Sequence, residues 1–315
     1  MSLKAVTHIS QVRGGSQARI MLADDGRKYV TKLQGNPQCT RVLANDYLAC
    51  RLARMIGLSV PEPVIILVDD DTIREQGITF TLAGRTVAAS PGLQFGSALV
   101  SGEVLDWLPG TMLGRVSNLR EFAGLLAFDK WTCNADGRQV VFHKKPQQRK
   151  FEAAFIDFGY CFNAGEWSIP NAPLRGVYGL NDVYERIESW DDFEPWLSRI
   201  ERFSERQLCS IADEIPCEWY GERAELDRLL DCLLERRSKV RRLIEDFRTS
   251  SRDPFPNWTA GRPVLRATEA NLAARCLLSE LENQPIPFSS RPLSGSILSG
   301  GGAFPRCHLS SNATI

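Results

Sequence analysis

Two acidic motifs, NADGRQVVF from Asn134 and AFIDFGYCF from Ala154, restrict how this chain can fold. Asp136 falls in a short polar loop behind the apolar helical run NLREFAGLLAFDKWTC. Asp157 closes the strand-like run FEAAFI and is followed by Phe158 and Gly159. The residues between them suffice for a hairpin, so both carboxylates can be aimed at one point. Phosphoryl transfer uses such a pair: one carboxylate orients or deprotonates the attacking hydroxyl, and another holds magnesium on the phosphates. An Asp-Gly pair is also a common solvated turn, which is the plain alternative for Asp136. Asp157 has no such easy alternative, because a carboxylate at the end of a buried strand needs a cation or donors.

The pattern upstream alternates with period two. THISQVR, QARIML and RKYVTKL read as a three-stranded meander over residues 7–33, with turns at GGS and ADDG. Lys32 ends the third strand, where its ammonium can reach the phosphates of ATP while a helix acid fixes it. QGNPQ breaks the pattern, and TRVLANDYLACRLARMIGL then shows helical spacing with Gly57 as its stop, placing Asp46 as the nearest helix acid. The small residues Gly14, Gly15 and Ser16 between the first two strands leave backbone amides free to cover phosphates, although two glycines in a hairpin are more often only a turn. SVPEPVIILVD, GITFTLAGRTV and LQFGSALVSG are expected to complete a sheet of about five strands.

From Glu103 onward helical spacing dominates, in NLREFAGLLAFDKWTC, SWDDFEPWLSRIERF, SERQLCSIADEI and ERAELDRLLDCLLERRSKVRRLIEDF. The expected fold class is α+β and bilobal, with a β-rich small lobe over 1–102 and a helical larger lobe over 103–250. Residues 251–315, rich in Pro, Gly and Ser with one short helical run, read as a largely disordered tail. The seven tryptophans are expected in packing positions, since basic residues do not interleave them.

Basic and acidic residues balance at 38 each, which removes any electrostatic case for a nucleic-acid partner. The absence of an apolar run of membrane length and of a signal-peptide core points to a soluble, cytoplasmic protein with no membrane partner. Nine cysteines without a CxxC pair, and only three histidines, argue against a zinc site or a disulfide framework. Cys50, Cys209 and Cys232 are expected on apolar helix faces.

Asp129 competes with Asp136 for the role of base, because it precedes Asn134 by the spacing found in ordinary protein kinases. Its place inside the helical run LLAFDKWTC favours Asp136, which lies in a loop. Together, KLQGNPQCTRVLANDYLACRLARMIGLSVPEP, FDKWTCNADGRQVVF, FIDFGYCF and IPCEWYG resemble the HipA-like kinase family over roughly residues 5–247. The resemblance implies a protein-kinase-like fold and ATP- and magnesium-dependent phosphorylation, with protein serine or threonine as acceptor in the toxin members. It carries the strand lysine onto Lys32, the helix acid onto Asp46 (usually a glutamate), the catalytic aspartate onto Asp136 and the metal aspartate onto Asp157. The family's second metal-binding asparagine is replaced by Val141, leaving Gln139 as the nearby side chain with a carbonyl oxygen, and Arg138 replaces a common histidine. Three readings follow: an active kinase with a protein acceptor and a possible regulatory partner, a pseudokinase that binds nucleotide or a partner, and, ranked last, a lipid kinase.

Overall fold

A computed structural model describes residues 2–259. Strands β1 (Leu3–Gln11), β2 (Arg19–Ala23) and β3 (Lys28–Lys32) form the expected antiparallel meander. The ADDG turn works because Gly26 takes a positive φ of 78° while its amide reaches the Ala23 carbonyl at 3.0 Å. The chain continues through helix α1 (Val42–Met55), β4 (Pro63–Val68), helix α2 (Asp70–Glu75), β5 (Thr79–Leu82), β6 (Arg85–Ala88) and β7 (Gly92–Ala98). Five strands close a barrel in the order β1-β2-β3-β7-β4, with β4 returning parallel to β1.

GITFTLAGRTV is not part of that barrel. It pairs with itself as the β5–β6 hairpin, turning through Ala83 and Gly84 at φ values of 48° and 77°. Ile78, Phe80 and Ala89 from this region join Met21, Tyr29, Ile66 and Val68 in the small lobe's core.

Helix α1 is buried nearly all round, because it packs against β4 and β7 on one side and the larger lobe on the other. Its stop is a Schellman turn: Gly57 N–H reaches the Arg54 carbonyl and Leu58 N–H the Ala53 carbonyl, both at 3.0 Å, with Gly57 at φ 89°.

In the larger lobe, β8 (Glu103–Leu105) pairs with β9 (Gln139–Lys144), which pairs with β10 (Glu152–Ile156). Helix α3 (Glu121–Thr132) runs through the main core and is followed by α4 (Trp196–Glu201), α5 (Glu205–Ala212), α6 (Arg223–Arg236) and α7 (Val240–Arg248). SWDDFEPWLSRIERF does not form one helix. Pro195 lacks an amide hydrogen, and the run divides into a 3-10 turn at Trp190–Phe193 and α4. The long run behind it likewise divides at the 3-10 turn Arg237–Lys239. Ser204 and Gln207 close a capping box on α5.

Three further expectations change. Cys232 is exposed, because α6 buries Leu226, Leu229, Leu230 and Leu233 on its other face. Trp107 is 63% exposed rather than packed. SRDPFPNW, assigned by composition to the tail, packs instead: Phe255 and Trp258 meet edge-on with Tyr184 at 6.0 Å and Trp190 at 5.4 Å respectively. The short helical run expected near residue 270 and the rest of the tail lie outside the described residues. Among the described residues, no helix is long and apolar enough to cross a membrane.

Trp131 anchors the larger lobe. It is wholly buried, donates its indole N–H to the Leu233 carbonyl at 2.9 Å and packs on Phe203 at 5.3 Å. Trp131→Ala is expected to destabilise the chain by about 3–5 kcal/mol in urea denaturation. A loss below about 1 kcal/mol would mean that the helices collapse into the space left behind.

Candidate active site

Lys32, at the end of β3, points its ammonium between two carboxylates. Nζ is 2.8 Å from Asp46 Oδ2 on α1 and 2.8 Å from Asp157 Oδ1 behind β10. Three segments far apart in sequence therefore converge on one buried cation. Burial alone opposes charge on Lys32, but Asp46 and Asp157 together outweigh it and hold its pKa above the ordinary lysine value. The two carboxylates share that one cation unequally. Burial, reinforced by the charge of Asp157, raises Asp46 to about 6 against the pull of Lys32. Asp157 feels burial too, yet Lys32 keeps its pKa below the usual carboxylate value.

Although aspartate is shorter than the glutamate expected at this position, Asp46 closes the ion pair directly. Its second oxygen, Oδ1, accepts the Phe158 amide at 2.8 Å and so fixes the residue after Asp157. Gly159 leaves room for this arrangement: a Cβ there would strike Val42 and stand 3.0 Å from Asp46 Oδ2. Neighbouring Asn45 is fully buried and completely used. Its amide donates to the carbonyls of Gly159 and Ala164 at 2.8 Å each, and its oxygen accepts the Trp167 indole at 2.7 Å. The sequence reading missed Asn45, although a polar residue beside Asp46 on so apolar a helix face was a usable signal.

Asp136 lies exposed in the loop between α3 and β9, with Oδ1 accepting the Gly137 amide at 2.7 Å. That loop starts with Cys133 in the left-handed conformation at φ 48°. It is held beside the segment after Asp157 by Ala135 N–H to the Tyr160 carbonyl at 2.9 Å, and by Phe162 N–H to the Thr132 carbonyl at 2.7 Å. The β9–β10 ladder, with Gln139 opposite Ile156, completes the connection between the two acidic motifs. Asp129 is closed off from solvent. It is buried in α3 and ion-paired with Arg138 through both carboxylate oxygens.

Gln139 touches the site, donating Nε2 to Asp157 Oδ2 at 2.9 Å. Val141 stands two residues further along β9, opposite Ala154, and its side chain offers no metal ligand. Gly14, Gly15 and Ser16 form the turn between β1 and β2, which Gln17 fastens to the hairpin by a two-way amide exchange with Thr81. A Cβ on Gly15 would lie 3.4 Å from Gln38, in the segment after Lys32, while Gly14 faces open space at φ 143°. The turn thus flanks the segment that leads out of Lys32, without a hydrogen bond to the ion-paired cluster.

Among the described residues there is no group of three or more His, Cys, Asp or Glu suited to hold a metal. This donor set still fits magnesium, which commonly takes one or two carboxylates and completes its shell with phosphate oxygens and water. Asp157 is a carboxylate of that kind, and the Gln139 carboxamide beside it turns its nitrogen to Asp157 Oδ2.

A β-barrel lobe with a buried strand lysine, over a helical lobe with two loop carboxylates, defines a protein-kinase-like fold. A profile of the HipA-like kinase family matches residues 6–249, and the chain belongs to that family. The crystal structure of the Helicobacter pylori proinflammatory kinase CtkA is similar at a TM-score of 0.52 and 15% identity, covering 77% of this chain and 97% of that one. The structure of hydra Fam20 with sugar is similar at a TM-score of 0.50 and 12% identity, covering 78% and 87%. At such identities the likeness concerns the fold alone. Comparison with curated proteins yields no match.

Removing Asp46 would leave Lys32 buried with one carboxylate and the Phe158 amide without its acceptor. Asp46→Ala is expected to cost about 3–5 kcal/mol in denaturant titration. An unchanged midpoint would show that Asp157 alone satisfies the cation.

Proposed function

We propose that this chain is an ATP- and magnesium-dependent kinase that transfers the γ-phosphate to a hydroxyl, with a protein serine or threonine as acceptor. The observation that carries this reading is the Lys32 ammonium, held 2.8 Å from both Asp46 and Asp157 in a chain of the HipA-like family. Lys32 would contact the ATP phosphates while Asp46 keeps its side chain in place. Asp157, with Gln139 beside it, would hold magnesium, whose charge offsets the negative charge gathered on the transferring phosphoryl group. Asp136, exposed in its loop, would orient the acceptor hydroxyl and take its proton. The turn at Gly14, Gly15 and Ser16 would cover the phosphates with backbone amides.

Val141 favours a second reading, a pseudokinase that binds nucleotide or a regulatory partner and transfers nothing. Phosphoryl transfer relies mainly on positioning and electrostatics, so the loss of one of two metal ligands slows it without removing its basis. Gln139, whose Nε2 donates to Asp157 Oδ2, would supply a substitute oxygen by turning its carboxamide over.

The deciding experiment incubates the purified chain with labelled ATP and magnesium, then follows phosphate on the chain itself and on lysate proteins. The expected outcome is transfer by the native chain and loss of at least about 100-fold in both Asp157→Ala and Asp136→Ala. Magnesium-dependent nucleotide binding without transfer would establish the pseudokinase instead. Full turnover in Asp136→Ala would remove that residue from the chemistry.

A further inference from the structure

Arg138 is wholly buried, and its guanidinium is divided between two tasks. On one side Nε lies 3.2 Å from Asp129 Oδ2, and Nη2 pairs with Oδ1 of the same carboxylate. On the other side Nη1 donates to the main-chain carbonyls of Ile156 at 3.2 Å and Asp157 at 3.1 Å. The Phe158 ring lies 4.2 Å from the guanidinium carbon. One side chain therefore touches the residue before Asp157, Asp157 itself and the residue after it.

The backbone held in this way is unusual, since Asp157 adopts a left-handed φ of 57°. Aspartate tolerates that region only when its surroundings favour it. Two opposed sets of hydrogen bonds do so here: Arg138 takes the carbonyls of Ile156 and Asp157, and Asp46 takes the Phe158 amide. With both faces of the peptide chain held, the Asp157 carboxylate is directed at Lys32 and Gln139.

We propose that Arg138, held by Asp129, is a positioning residue that sets the Asp157 carboxylate for its metal. The inference rests on the kinase reading above. A buried ion pair is by itself weak evidence of a stabilising role, because an apolar pair of similar volume often serves as well. The carbonyl contacts are what an apolar pair cannot supply. A lysine cannot supply them all either, since it lacks the planar fork that reaches a carboxylate and two carbonyls together.

The test measures affinity for a fluorescent ATP analogue with and without magnesium, alongside the urea midpoint, in the native chain, in Arg138→Lys and in the double variant Asp129→Leu with Arg138→Met. The native chain is expected to bind the analogue more tightly with magnesium. In the double variant the midpoint should fall, because the Ile156 and Asp157 carbonyls lose their donor, yet the chain stays folded in buffer while the magnesium-dependent gain in affinity falls roughly 10- to 100-fold. Arg138→Lys should lose the gain to a similar degree, and it decides the question on the same readout if the double variant does not fold. A folded variant that keeps the full gain overturns the positioning role and leaves the kinase reading standing. A native chain with no gain from magnesium overturns both.

Discussion

The structure depends on one buried ammonium. Lys32 belongs to the small lobe, Asp46 to the helix between the lobes, and Asp157 to a turn of the larger lobe, yet all three meet within hydrogen-bonding distance. Burying a lysine is costly unless its charge is matched, and no single segment here can match it. The barrel, α1 and the β9–β10 pair must each be in place before the cation is satisfied. The site is thus also a junction of the fold.

Around that junction the polar groups are arranged in tiers. Asp46 uses one oxygen for Lys32 and the other for the Phe158 amide. Asn45 ties the same helix to the segment after Asp157, and Arg138 reaches the main chain of Asp157 from the opposite side. Deeply buried polar groups paired in this way favour a single arrangement, because a shift leaves partners unpaired. Asp136 and Gln139 stand outside this set, exposed at the edge of the cluster. Rigid support below and accessible groups above suit the proposed role, in which the site would receive a nucleotide and a second substrate.

The meander, the break at QGNPQ, helix α1 and the strand leading into Asp157 were legible because each has a local pattern, alternation or helical spacing closed by turn formers. The placement of Asp136 in an open loop and of Asp129 inside a helix was legible for a similar reason: one opens a turn-forming Asp-Gly pair and the other sits in an apolar helical run. Less legible was the self-pairing of GITFTLAGRTV, since alternation marks a strand without naming its neighbour. Composition misassigned SRDPFPNW, whose prolines resemble a linker while Phe255 and Trp258 fill a space that only distant residues create. Arg138 passed as a replacement for a histidine, because nothing near it in the chain shows a carboxylate and two carbonyls around its fork.

By itself, the sequence determined which residue types are available and in what order: a strand lysine, a helix acid, a loop aspartate and a strand-end aspartate. Those follow from local periodicity and turn chemistry, which act over a few residues. Only the tertiary structure decided that Asp46 reaches Lys32 despite its shorter side chain, that Asp129 is consumed by Arg138, and that Gln139 rather than Val141 meets Asp157. Each of these is settled by distances of a few ångströms between segments remote in sequence. Such distances are set by how the barrel, α1 and the β9–β10 ladder pack together, and no short window of sequence carries that information.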